Sequence, residues 1–539
     1  MRDLWRSHGV CRRDFLKLSG VAAVPLLAGV GPSWAAAPAP AAAIRRGGTL
    51  IGAVNWTYPT LDPHLSTMAS LPGYDAMFDS LVRFELADPK TGQHRVVGHL
   101  AESWEQPDPR TYVFKLKRGV KFHDGSPFDA EVARWNLLRL RDHPKSSRKN
   151  YLAGVESVEA RDRYALVVRL KAARAAFLPI LAYHWAGRTH MISKAAMDKL
   201  GEEGFARNPV GGGPFRFKQW VTDDRLILER NPDYHEPGAD GKPLPYLDGV
   251  VWRYIPDPTV SFVDMRAGSL HLLETVAVKD VASLRANPDL AIHNMPWAGQ
   301  VYFQAGFNID APPFNNVLVR RAAALGIDRE GMAKALGFGI GAPHFYPKFM
   351  SGALGYDEGL PKNDYDPAKV KALLKEAGYP DGVSVELKVI AREPENTIGE
   401  FVQQMWTNVG IKTKLVSMER LSWIDAVRAK NFQVCFWRGN PGGAVVDPDI
   451  QRARLICGGE NNWSQFCDPE VDRLMDEGGR ALDAKKRHDI YRQVLRVIQE
   501  RAYLATGILV PLVDAYRREV QGLKFDFQVP DVRAVWLKA

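Results

Sequence analysis

Leu100-Ala101-Glu102-Ser103-Trp104-Glu105, followed by Tyr112-Val113-Phe114-Lys115-Leu116-Lys117-Arg118-Gly119-Val120-Lys121-Phe122-His123-Asp124-Gly125, is the most distinctive string in this 539-residue chain. In its second part Tyr112, Phe114 and Leu116 alternate with smaller or charged partners, the period of a strand buried on one face. His123-Asp124-Gly125-Ser126-Pro127 then has turn composition. Asp129 is placed to cap a helix that carries Val132, Trp135 and Leu138 at helical spacing. The stretch therefore reads as strand, turn and capped helix.

The same grammar recurs on both sides. Upstream, Gly47-Gly48-Thr49-Leu50-Ile51-Gly52-Ala53-Val54 reads as a glycine-led strand that feeds a loop rich in Pro and Thr. Downstream, Asp366-Pro367 supplies a cap and a proline at the first helical position; Val370, Leu373, Leu374 and Ala377 keep helical spacing and Gly378 stops the helix. Asp468-Pro469 repeats the device ahead of Val471, Leu474 and Met475. Between these two helices, Ile398, Phe401, Val402, Met405 and Trp406 make one apolar face, and Ile411 to Val416 alternates as a strand. Helices and strands that take turns in this way predict an α/β lobe. No tandem repeat interrupts the pattern.

The amino terminus carries an address. Arg12-Arg13-Asp14-Phe15-Leu16-Lys17 precedes an apolar run, Leu18 to Val30, broken by Gly20, Pro25 and Gly29. That run is too short and too interrupted to span a bilayer, which takes about 20 apolar residues. Adjacent arginines ahead of it predict a twin-arginine signal over residues 1–35, with cleavage near Ala36 or Ala37 and an Ala/Pro-rich disordered leader over 36–45. No cysteine follows the run, so no lipid anchor is expected. The predicted location is the periplasm.

Charge and length narrow the classes further. The whole chain carries 71 Lys/Arg against 62 Asp/Glu, net +9, and removal of residues 1–35 leaves 66 against 60. Charges of both signs are mixed throughout, with no basic cluster interleaved with aromatics, so no nucleic-acid partner is called for. About 500 residues exceed what one hydrophobic core serves, which predicts two or three domains. Cys457 and Cys467 bracket a loop-like Gly-Gly-Glu-Asn-Asn stretch and predict a disulfide in an oxidising compartment. Cys435, inside the apolar run Phe432–Trp437, reads instead as a small buried hydrophobe.

Taken in order, Leu61-Asp62-Pro63-His64, the string at 100–125, Asn208-Pro209-Val210-Gly211-Gly212-Gly213-Pro214-Phe215, Glu229-Arg230-Asn231-Pro232-Asp233-Tyr234 and Tyr246-Leu247-Asp248-Gly249-Val250 resemble successive segments of one family. Arg266-Ala267-Gly268, Phe307-Asn308, Pro312-Pro313-Phe314, Val319-Arg320-Arg321-Ala322 and Gly326-Ile327-Asp328-Arg329 continue the series. The family is the extracellular solute-binding proteins of the peptide/nickel/opine type, family 5, which serve ABC importers. The resemblance implies an α/β periplasmic-binding-protein fold of the cluster C type: two lobes about a hinge, with an extra domain inserted in the first. Its implied boundaries are 46–82, 200–303 and 511–539 for lobe I, 83–199 for the inserted domain and 304–510 for lobe II.

The resemblance also implies a ligand held between closing lobes. In peptide-binding relatives an Asp shortly after a Trp or similar residue on the second lobe holds the ligand's α-ammonium. Here Trp437 matches, but the anchor position is Asn440, which lacks the charge that makes such hydrogen bonds strong. Asp447 is the substitute anchor, or a structural residue. Arg392 falls where relatives hold the ligand carboxylate, and Arg438 beside Trp437 offers a second planar fork. Tyr58, Tyr302 and Trp297 are placed to line the cleft as broad amphipathic contacts. A peptide-like ligand is expected, with an opine, a modified amino acid or a metal chelate as the alternative. The implied partners are membrane permease subunits and a separate ATPase; the chain itself is expected to be a monomer without a cofactor.

Other classes lack their signatures. Gly-x-Ser-x-Gly, His-Glu-x-x-His and Gly-x4-Gly-Lys-Ser/Thr do not occur, so no enzyme of these kinds is predicted. His184 with His190, and His94 with His99, lack the tight spacing of a metal site, and none is expected. A sensor subunit that reports the closed shape would use the same binding chemistry.

Overall fold

The computed structural model describes residues 44–66, 71–88, 92–183, 189–439 and 443–538, the side chains of Trp297 and Asp526 excepted. The signal and the leader up to residue 43 lie outside the described residues. Ile44–Ala539 forms one compact unit.

A single twelve-stranded sheet runs through this unit. At one end Phe215–Val221, Arg225–Arg230, Gly249–Tyr254, Thr49–Val54 and Leu272–Leu273 lie side by side; at the other, Val434–Gly439, Val383–Ile390 and Ile411–Met418. Two long strands join the ends. Leu290–Phe307, 18 residues, pairs antiparallel with Ile508–Arg517 along its first part and with Val434–Gly439 along its last. At about 3.3 Å per residue it spans roughly 60 Å, enough to belong to both lobes. Its register slips between Met295 and Gly299. A Cβ at Gly299 would come within 2.9 Å of the Val510 carbonyl oxygen, so only glycine allows the two backbones to approach there.

Each half has its own core. In the first, Leu50, Val54, Leu226, Val250 and the fully buried Trp252 pack together. In the second, Phe303, Phe307, Val319, Val402, Trp406 and Phe436 do so. The helix Glu395–Asn408 crosses between the parallel strands Val383–Ile390 and Ile411–Met418, a βαβ unit within the predicted α/β lobe. Its predicted apolar positions Ile398, Val402 and Trp406 are buried. The caps fall where the sequence places them: Asp129, Asp366 and Asp468 each accept a backbone N–H at the start of their helices. Pro367 and Pro469 open the latter two, and Gly378 has φ +90°.

A separate four-stranded antiparallel sheet has the order Ala101–Asp108, Thr111–Leu116, Ala165–Leu170, Val155–Asp162. The helix Ala130–Asp142 packs on it through Ala133, Leu137 and Leu140. This layer touches the second lobe: Arg174 Nε donates to Asp449 Oδ2 at 2.9 Å, and Ala175 N donates to the Gly479 carbonyl at 3.0 Å. Asn150 donates to Glu460 in the same contact. The four-stranded layer is thus tied directly to the second half by side-chain and backbone bonds. Among the described residues no helix is long and apolar enough to cross a membrane.

Candidate solute-binding cleft

A cavity of about 590 Å³ opens where the two halves meet the crossing strands. The first lobe contributes Asn55 and Trp56, which follow Thr49–Val54, and Leu273–Lys279, which follow Leu272–Leu273. The crossing strands contribute Gln300, Tyr302 and Val510–Asp514. The second lobe supplies Phe338, Glu393, Pro394, Thr397 and Arg438. A space lined from both lobes and the hinge between them is the geometry that closure on a solute requires.

The second-lobe wall is organised by one acid. Glu395 is fully buried; its Oε1 accepts from Arg392 Nε at 2.8 Å and from Arg438 Nε at 3.0 Å. Arg438 Nη1 donates in addition to Gln300 Oε1 at 2.7 Å, which ties the second lobe to the crossing strand. The guanidinium is held in one orientation while it borders the cavity, the preorganisation that makes an arginine fork selective for carboxylate. Arg392 meets the same Glu395 but is not among the residues that line the cavity.

The first-lobe wall is organised by two acids. Asp514 is 1% exposed; its Oδ1 accepts the Thr275 N–H at 2.8 Å and its Oδ2 has no hydrogen-bond partner. Glu274 borders the same cavity. Burial lifts Asp514 to about 7. Burial first, and then the neighbouring Asp514 charge, push Glu274 well above its ordinary value. Lys279, on the same wall, is occupied by Asp280 at 3.1 Å. The intervening Thr275 has φ +57°, a left-handed conformation uncommon for a β-branched residue. Gln528, 6% exposed, presents an unpartnered Nε2 to the same space.

Of the residues singled out in the sequence, the structure brings Arg438 and Tyr302 to the cavity. Trp437 is not there. It precedes Arg438 in the strand Val434–Gly439, and successive strand residues point to opposite faces. Trp437 packs in the second-lobe core, with Lys348 Nζ 5.1 Å from its ring centroid. Tyr58 is also core: its ring meets Tyr74 at 5.3 Å and its hydroxyl accepts the Gly73 N–H. Asp447 is not available as an anchor, because Arg487 engages both its oxygens at 2.8 and 2.9 Å while it caps the short helix Pro448–Arg454. The backbone of Trp297 lies in the strand Leu290–Phe307, and Asn440 falls outside the described residues. Cys457 and Cys467 are joined, with S–S 2.08 Å, and Cys435 is fully buried.

Of the histidines paired in the sequence, His94 and His99 take different partners, and His184 lies outside the described residues. His190 bonds Asp75 at 2.9 Å, His94 bonds the Gly92 carbonyl, and His99 instead joins Asp79 and His235. Asp79 receives His99 Nε2 at 3.1 Å, His235 Nε2 at 2.8 Å and the Tyr234 hydroxyl at 3.2 Å. The Ser80 N–H points at His99 Nδ1, which places that ring's proton on Nε2, toward Asp79. The trio is a hydrogen-bonded acid–imidazole cluster, away from the cavity.

Comparison with known proteins agrees with this geometry. Residues 95–461 match the family described as bacterial extracellular solute-binding proteins, family 5 Middle. The chain is 26% identical over 492 residues, 88% of this chain and 91% of the relative, to the glutathione-binding protein GsiB of Shigella dysenteriae. It is 27% identical over 502 residues, 86% and 90% of the two chains, to the dipeptide-binding protein of Escherichia coli. Among solved structures it is similar to the ABC transporter-associated periplasmic binding protein DppA of Helicobacter pylori in complex with a peptide, with TM-score 0.76, 25% identity, and 92% of this chain and 99% of that one covered. Its two-lobed fold and sequence place this chain among the bacterial extracellular solute-binding proteins of family 5.

Proposed function

We propose that the chain is the substrate-binding component of an ABC importer, which captures a peptide-like small organic solute between its lobes and delivers it to a membrane permease. One observation carries the reading: the cavity is walled by ionisable groups of both lobes, the guanidinium of Arg438 on one side and the carboxyls of Glu274 and Asp514 on the other, and joined through Gln300 at the hinge. A zwitterion of two or three residues suits such a space, and the dipeptide- and glutathione-binding relatives support that class. Energy for transport comes from a separate ATPase, and the chain acts as a monomer without catalysis of its own.

Export by the twin-arginine route is supported by Arg12-Arg13 and the broken apolar run behind them. For the lobe boundaries 46–82, 200–303 and 511–539 for lobe I and 304–510 for lobe II, with residues 83–199 as the inserted domain, the support is the separate four-stranded sheet in that stretch. A non-peptide acid such as an opine is the second reading, favoured by the fixed guanidinium of Arg438. Mass spectrometry of small molecules released from protein purified out of the periplasm separates the two. Di- or tripeptide masses are expected; a uniform population of non-peptide acids would replace the first reading with the second.

A further inference from the structure

Two carboxylates side by side in a partly enclosed wall are an unfavourable arrangement unless something positive completes it. Glu274 and Asp514 are 240 positions apart in sequence, and the sheet brings them together: Leu273 pairs with Ala515, and Thr275 N–H reaches Asp514. Neither acid takes part in an ion pair among the described residues, and the nearest lysine of that wall, Lys279, is already bound to Asp280. His293, opposite Asp514 in the strand register, stacks on Phe525 with ring centroids 3.7 Å apart. A structural acid pair would be expected to carry its cation with it. This pair faces the cavity with one buried oxygen, Asp514 Oδ2, left without a partner.

We infer that Glu274 and Asp514 form a subsite for a primary ammonium group of the ligand, the first-lobe counterpart of the carboxylate-binding Arg438. The inference rests on the cavity being the solute site, as proposed above. An ammonium offers three donors on a compact charge; it can bridge Asp514 Oδ2 and Glu274 together. Trp56, 45% exposed at the rim of the same wall, adds an aromatic face that attracts cations. Recognition of the amine is thereby placed on the first lobe, across the cavity from Arg438. Closure then follows from charge: the ligand's two ends sit on opposite lobes, so only the closed state satisfies both.

The test is calorimetric titration of the exported protein, freed of ligand, with Met-Leu and Ala-Phe dipeptides, their N-acetyl forms, and the simple amines butylamine and putrescine. Wild type should prefer free over acetylated peptide. Glu274→Gln and Asp514→Asn should each weaken the free peptide by roughly ten- to a hundredfold, the range for hydrogen bonds to charged groups, and the double variant should lose the preference for the free amine. If both peptide forms bind equally, or the preference survives the double variant, the subsite is refuted while the peptide reading stands. If no peptide binds, the amines decide: saturable binding abolished in the double variant upholds the subsite and removes the peptide reading, and its absence overturns both. The two substitutions are close in shape to the originals and remove a like-charge contact, so ligand-free stability should not fall; a large fall would mark the acids as structural and refute the assignment.

Discussion

Asp514→Asn is the substitution whose effect the structure specifies most fully. Burial raises Asp514 from 3.8 to about 7, against the opposing hydrogen bond from Thr275. Between these values the folded chain holds a proton that the unfolded chain has released, so this group's contribution favours folding less and less as pH rises through that window. At about 1.4 kcal/mol per unit, a shift of some three units sets a ceiling of about 4 kcal/mol, with Glu274 coupled to the same equilibrium. Asparagine cannot ionise and keeps an Oδ1 to accept the Thr275 N–H. The ligand-free variant should therefore match wild type near pH 4 and exceed it by up to about 4 kcal/mol at pH 8. The titratable neighbours whose responses overlap are Glu274 and His293 on the paired strand; Lys279 and Arg438 are the charged side chains that face the same cavity. Denaturant unfolding of both proteins at unit steps from pH 4 to 8 measures the difference directly. A variant less stable than wild type at pH 8, or a difference that does not change with pH, would refute the reasoning.

Three further outcomes are expected. Replacing Arg12 and Arg13 with Lys should leave precursor in the cytoplasm, because the export machinery reads the arginine pair and not its charge alone; fractionation showing normal periplasmic delivery would contradict this. Reduction of Cys457–Cys467, or its replacement by Ser, should cost on the order of 3 kcal/mol of unfolding free energy, read from denaturant curves with and without reductant; coincident curves would count against a stabilising bridge. Arg174→Ala removes the side-chain contact between the four-stranded layer and Asp449, which is 3% exposed, so the closed state should weaken and apparent solute affinity fall about tenfold. Small-angle scattering should then show a larger ligand-free radius of gyration, and an unchanged one would mean the contact does not hold the four-stranded layer against the second half.

Much of the fold is legible because local chemistry and final structure agree. Asp366-Pro367 and Asp468-Pro469 both start helices, and the Tyr112, Phe114, Leu116 alternation becomes a strand with one buried face. Elements that violate local rules are not legible. Ala101–Asp108 is a strand of mostly exposed residues with Pro107 inside it, tolerated because it lies at a sheet edge. Leu290–Phe307 contains Pro296 and Gly299, which read as loop, yet it is the longest strand, because the partner Ile508–Arg517 accepts the slip in register. The site was harder still. Trp437 is singled out by resemblance and Arg438 only by adjacency to it, yet a strand sends neighbours to opposite faces, so Arg438 reaches the cavity with Tyr302 and Trp437 goes to the core. Glu274 and Asp514 stayed hidden because their proximity is made by sheet pairing over 240 residues. The available signal was an acid inside the otherwise apolar Ile508-Leu509-Val510-Pro511-Leu512-Val513-Asp514-Ala515.

The central claim is that a solute is bound between the lobes by charges of opposite sign on opposite walls. A crystal structure of the exported protein with its co-purified or titrated solute tests it most directly. The account predicts ligand density in the cavity, with a primary amine within hydrogen-bond distance of Glu274 and Asp514 and an acidic group on Arg438. A solute seated elsewhere, or one lying in the cavity without touching either wall's charges, would contradict it.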